Sequence, residues 1–132
     1  MTTVEHMDVP EDLLYTTDHE WIKRVEGGVR IGITDYAQDA LGDVVFVQVP
    51  EVGTSLAAGA SFSEVESTKS VSDIYAPISG TIIEVNDALA GDPSVLNSDP
   101  YGSGWLCVID PSSPEELDKL LDADAYRALT EG

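Results

Sequence analysis

The chain is 132 residues long and 42% apolar, a length and composition suited to one globular domain with a real core. Six Lys and Arg face 25 Asp and Glu, a formal charge of −19. That imbalance excludes nucleic acid, whose phosphates demand clustered bases, and an anionic membrane surface for the same reason. No apolar run approaches the roughly 20 residues of a membrane helix. Met1 to Leu14 holds four acids and no Lys or Arg, unlike a secretory or transit segment. The single cysteine, Cys107, allows no internal disulfide and points to a reducing compartment, so a cytoplasmic location is expected. With two histidines and one cysteine, a structural zinc site is not expected.

Residues 1–12 read as a flexible polar tail. Strands are predicted over Glu20–Val25 and Gly28–Ile33, with Val29, Ile31 and Ile33 alternating in the second. A short helix follows, with Thr34 or Asp35 as its cap, Gln38 placed as in a capping box, and Gly42 at its end. Asp43–Val49 is apolar nearly throughout, the pattern of a strand covered on both faces.

After turns at Pro50, Gly53 and Gly59, two more strands are predicted, about 61–66 and 71–76, separated by Ser67-Thr68-Lys69-Ser70. Pro77 and Gly80 lead into a strand over Thr81–Asn86. A Gly/Pro/Asn/Asp-rich loop then runs to Gly104, before a last strand over Trp105–Asp110. Ser113-Pro114-Glu115-Glu116 has the form of a capping box opening a C-terminal helix with Leu117, Leu120 and Leu121 on one stripe. A further helical turn or two carries Tyr126 and Leu129. Short strands at close spacing without βαβ alternation predict a small sandwich or flattened barrel, and no phosphate-binding loop is present.

Lys69 is the distinctive residue. From Ile31 to Asp118 it is the one base among fifteen acids, at the centre of a predicted hairpin turn flanked by small hydroxyl residues. A lysine on a rigid tip has the reach and exposure that a modifying enzyme and several successive partner sites require. It is poorly placed as an intrinsic catalytic base, because the surrounding acids favour its charged form.

The segment Val65-Glu66-Ser67-Thr68-Lys69-Ser70-Val71-Ser72-Asp73-Ile74-Tyr75-Ala76-Pro77-Ile78-Ser79-Gly80 resembles the lipoylation segment of the glycine cleavage H-protein family. Three further stretches are similar to that family: His19-Glu20-Trp21, Gly32 to Gln38 continuing through Leu41-Gly42-Asp43, and Asn97 to Tyr101 with Gly104-Trp105. The resemblance implies a mostly β, lipoyl/biotinyl-type barrel-sandwich of two antiparallel sheets with a short internal helix and C-terminal helices. It also implies one carrier domain over residues 13–132, with C-terminal helices from about residue 113.

By the same resemblance Lys69 bears a covalent lipoate. A pyridoxal-phosphate glycine decarboxylase loads the aminomethyl group of glycine onto the lipoyl sulfur. A tetrahydrofolate-dependent aminomethyltransferase unloads it, and dihydrolipoamide dehydrogenase reoxidises the dithiol. The carrier performs none of these reactions alone. Glu20 matches the family's cleft carboxylate, and Asp73 is the second arm-docking candidate. Glu66 matches the acid read by lipoate-attaching enzymes. One departure stands out: some members have His where this chain has Ala40, so that imidazole is missing here.

Other readings fit less well. A biotin carrier usually has Met on both sides of its lysine, where this chain has Thr68 and Ser70. Lipoyl domains serving 2-oxo acid dehydrogenases lack the His19-Glu20-Trp21 motif and the C-terminal helices, and a lipoyl relay to other carriers would look the same in sequence. A small acidic hydrolase would need a nucleophile–base pair that no motif supplies. His19 is expected to be a structural hydrogen-bonding residue beside Trp21, and Cys107 a small buried hydrophobe.

Overall fold

The computed structural model describes residues 9–131. Their order is β1 (Leu14–Tyr15), β2 (Glu20–Val25), β3 (Gly28–Ile33), α1 (Asp35–Leu41), β4 (Val44–Val47), β5 (Ser55–Leu56), β6 (Ser61–Ser67), β7 (Val71–Tyr75) and β8 (Gly80–Val85). Then come α2 (Ala88–Gly91), α3 (Val95–Ser98), β9 (Cys107–Pro111), a 3₁₀ helix (Pro114–Lys119) and α4 (Ala123–Glu131). A six-stranded sheet, β1-β2-β3-β9-β8-β5, faces a three-stranded sheet, β4-β6-β7, and every pairing is antiparallel. This is the two-sheet architecture expected.

The alternation in β3 buries Val29, Ile31 and Ile33, and these contribute to two core clusters. Val44, Val47, Val65 and Ile74 of the small sheet pack with Ile33, Leu41, Leu89, Leu96 and Leu106. Ile22, Ile31, Ile78, Ile82, Cys107 and Ile109 form the second cluster, closed by Leu117 of the 3₁₀ helix. A third joins Leu13, Tyr15 and Trp21 to Ala123 and Tyr126 of α4. Tyr15 and Tyr126 stack with ring centroids 4.6 Å apart, which fastens the C-terminal helix to β1.

Four expectations are corrected or refined. The segment after Gly42 is not covered on both faces, because Val45 and Phe46 are exposed. The β4–β6 register shifts between Val44 and Phe46; this bulge turns consecutive side chains to solvent and breaks the simple alternation. Ser113 makes no side-chain cap, and Glu116 instead accepts hydrogen bonds from the Ser79 amide (2.7 Å) and hydroxyl (3.2 Å). The helix there is 3₁₀ and ends at an extended Leu120, so Leu121 pairs with Tyr15 as a β-bridge. The stretch after Asn86 is not all loop, since buried Leu89 and Leu96 fix the single-turn helices α2 and α3.

Of the expected tail, residues 1–8 lie outside the described residues. Residues 9–11 are held to α4 and β1: Val9 O accepts from Arg127, Glu11 pairs with Arg127, and Pro10 O accepts the Tyr15 hydroxyl at 2.7 Å.

Candidate functional site

Lys69 stands at the tip of the β6–β7 hairpin and is exposed. The tip is organised by Ser67, whose Oγ accepts the amides of Lys69 and Ser70, each at 3.1 Å. A backbone bond from Ser67 N to Ser70 O (2.8 Å) closes the turn. The tip is also tied laterally, because the Thr68 amide donates to Asp43 O at 3.0 Å.

That lateral support is itself held by Asn97 of α3. Its Nδ2 donates to Gly42 O (2.8 Å) and Gln38 Oε1 (3.0 Å), and its Oδ1 accepts the Val44 amide (2.9 Å). The Asn97-Ser98-Asp99-Pro100-Tyr101 motif thereby fixes the α1–β4 corner on which the hairpin leans. Tyr101 and Pro100 extend the frame: the Tyr101 hydroxyl accepts the Asp35 amide (3.0 Å) and Pro100 O accepts Trp21 Nε1–H (2.9 Å). Gly42 ends α1 at φ 82°, ψ −157°, a region almost confined to glycine. The Lys69 stem lies against it, and a methyl group there would sit 3.0 Å from Lys69 Cε.

A cleft of about 230 Å³ opens beside the hairpin, between α1 and β7. Ile33, Ala37, Leu41 and Ile74 make its apolar lining, with Asp18, His19, Ser70, Ser72 and Asp73 as polar lining. Leu41 and Ser70 mark the end next to Lys69. Both walls run from there toward Asp18 and His19 at the far end. Ala40, where an imidazole was expected to be missing, also lines this cleft. The lining pairs an apolar surface with the carboxyl groups of Asp18 and Asp73.

His19 sits at the far end in the left-handed region, φ 67°, in the tight turn from Thr16 to Glu20. As a structural hydrogen-bonding residue it matches the expectation: its Nδ1 lies 2.8 Å from the Tyr126 hydroxyl, and its ring stacks on Tyr36 at 4.6 Å. Burial holds the imidazole below its ordinary pKa, with Asp18 opposing.

The sequence-derived candidates do not all share one surface. Asp73 lines the cleft. Glu20 is 2% exposed and lines a separate depression with Thr16, Ala76 and Lys119. Its Oε2 accepts the Tyr75 amide at 3.1 Å and its Oε1 the Thr16 hydroxyl at 3.0 Å, so it joins the β2 turn to the end of β7. Burial pushes its pKa up to about 7, although both hydrogen bonds pull the other way. Glu66 lies on the outer face of the small sheet, paired across to Phe46 and Val71, both exposed. Sequence reasoning missed Asn97 and Gly42 as supports of the hairpin, although both lie in motifs it singled out. It also missed Tyr126, which carried no local signal beyond an apolar helix position.

Among the described residues no group of His, Cys, Asp and Glu is placed to hold a metal ion. The family model described as "Glycine cleavage H-protein" matches residues 13–132. The chain is similar to the glycine cleavage system H protein of Mycobacterium avium (strain 104), at 60% identity over 130 residues, covering 94% of this chain and 98% of that protein. The protein of the same name from Anaeromyxobacter sp. (strain K) is 53% identical over 125 residues, covering 95% and 98%. A crystal structure of a glycine cleavage system H protein from Mycobacterium marinum superposes with a TM-score of 0.87 at 48% identity, covering 94% of this chain and all of that one. The chain belongs to the glycine cleavage H-protein family.

Proposed function

We propose that this protein is the lipoyl-bearing carrier of the glycine cleavage system, with lipoate amide-linked to Lys69 Nζ. The observation that carries the reading is the placement of Lys69: on a braced tip, exposed, and at the mouth of a mostly apolar-floored cleft. When attached, the lipoyl group supplies a dithiolane end able to take up a one-carbon amine unit and electrons. The chain's own residues do the rest. Ser67 and Asp43 fix the tip so that successive partner enzymes meet the lysine in one orientation. Ile33, Leu41 and Ile74 offer apolar surface on which the arm rests between visits, shielded from water. Asp18 and Asp73 face a positively charged cargo, while Glu20 holds the β7 wall in place from beneath.

The partners of this reading are the pyridoxal-phosphate glycine decarboxylase, the tetrahydrofolate-dependent aminomethyltransferase, dihydrolipoamide dehydrogenase and a lipoate-attaching enzyme. The attaching enzyme meets Glu66 on the hairpin's outer face, between Phe46 and Val71. A formal net charge of −19 favours encounter with basic-rimmed partner sites. The test is reconstituted glycine decarboxylation with the lipoylated protein against Lys69→Arg. Arginine keeps the charge but forms no lipoyl amide, so carrier activity disappears while the melt is retained. Activity in the variant overturns the assignment.

A further inference from the structure

The hydroxyl groups of Thr34 and Tyr126 and the half-buried ring of His19 form a continuous relay. Tyr126 Oη lies 2.7 Å from Thr34 Oγ1 and 2.8 Å from His19 Nδ1. Thr34 and Tyr126 are both fully buried. Thr34 Oγ1 already accepts the Ala37 amide at 3.1 Å as the cap of α1.

Hydrogen counting then sets the direction of the relay. If Tyr126 donated to Thr34, Thr34 Oγ1 would accept twice and its own hydrogen would be buried without an acceptor, an expensive arrangement. In the opposite direction every atom is used: Thr34 donates to Tyr126, and Tyr126 donates to Nδ1 of His19. The imidazole is then neutral with its hydrogen on Nε2. Its orientation is fixed further by the stack on Tyr36 and by the left-handed backbone of the Thr16–Glu20 turn. With Nδ1 engaged by Tyr126, Nε2–H is the ring's remaining polar group at the far end of the cleft.

We infer that His19 is an arm-docking residue whose Nε2–H donates to a sulfur at the distal end of the docked lipoyl arm, and that Tyr126 of α4 is its positioning residue. The inference rests on the lipoyl-carrier reading above. It divides the polar lining by chemistry: Asp18 and Asp73 accept from a cationic cargo, while His19 is a donor that would repel such a group and favours sulfur. It also gives the C-terminal helix a part in the site, because Tyr126 of α4 bonds the His19 ring.

The test is nitrogen-15 NMR of the His19 ring in the unmodified and the lipoylated, reduced protein. The expected result is the Nε2–H tautomer at His19 in both forms, with a lipoylation-dependent shift at its Nε2. In Tyr126→Phe both tautomers become populated, and the lipoylation-dependent shift shrinks about two-fold, as expected for comparable populations. The Nδ1–H tautomer in the parent protein overturns the inference. So does an unmoved His19 ring while the amides of Ser72 and Ile74 shift, and this result leaves the carrier reading standing. If lipoylation moves no cleft amide at all, arm docking in this cleft fails, and the inference fails with it.

Discussion

Glu20 Oε2 accepts the backbone amide of Tyr75 at 3.1 Å, joining the turn before β2 to the last residue of the strand that begins at the lysine hairpin. A carboxylate 2% exposed is therefore a strut of the cleft wall as well as a candidate for its chemistry.

Burial raises the Glu20 pKa from an ordinary 4.5 to about 7. A carboxyl whose folded pKa is raised stabilises the fold fully below its unfolded value, and loses that contribution as pH rises through the folded one. Between pH 4.5 and 7 this group alone removes about 3 kcal/mol, since each unit is worth about 1.4 kcal/mol. Glu20→Gln keeps an acceptor for Tyr75 and does not titrate. Urea melts across that range are expected to show a shallower decline for the variant than for the parent. Parallel pH profiles contradict it.

Gly42→Ala places a Cβ in a backbone region nearly reserved for glycine and against the Lys69 stem. The expected cost is about 2 kcal/mol, the middle of the range for such strain. A fall in melting temperature of several degrees checks it; an unchanged melt means the corner relaxes freely.

Asn97→Ala leaves the Val44 amide and Gly42 carbonyl without their partner at the corner that supports Thr68. The half-buried site limits the loss to about 2 kcal/mol. The specific readout is amide hydrogen exchange. Thr68, bonded to Asp43 O, is expected to exchange faster than Val65 in the strand centre relative to the parent protein, and uniform acceleration would mean only a global loss of stability.

Glu66→Gln is expected to leave the melt within about 0.5 kcal/mol, as surface substitutions do. Its effect falls on lipoate attachment, with a several-fold slower modification of Lys69 measured by mass spectrometry. An unchanged rate leaves Glu66 with no part in attachment, one acid among the chain's 25.

Much of this was legible in the sequence because it is local. The β3 alternation, the Thr34 cap with its bond to the Ala37 amide, and the Ser67–Ser70 turn each depend on residues within a few positions. What escaped depends on contacts across the chain. The bulge at Val45 is a property of the β4–β6 pairing, not of the apolar run that looked fully covered. Ser113 and Glu116 have the spacing of a capping box, but Ser79, 37 residues before Glu116, offers the glutamate better donors. Glu20 matched a motif, yet its burial and the Tyr75 bond span 55 residues. His19 makes a hydrogen bond as expected, but its partner Tyr126 lies 107 residues away and no local signal names it.

The proposed carrier role depends on lipoate attachment at Lys69. The direct measurement is intact mass before and after incubation with a lipoate ligase, lipoic acid and ATP, followed by peptide mapping. One added lipoyl group, located on Lys69 and absent from Lys69→Arg, is the predicted result. No addition by a ligase that modifies a known carrier in parallel, or addition at Lys23 or Lys119 instead, contradicts it.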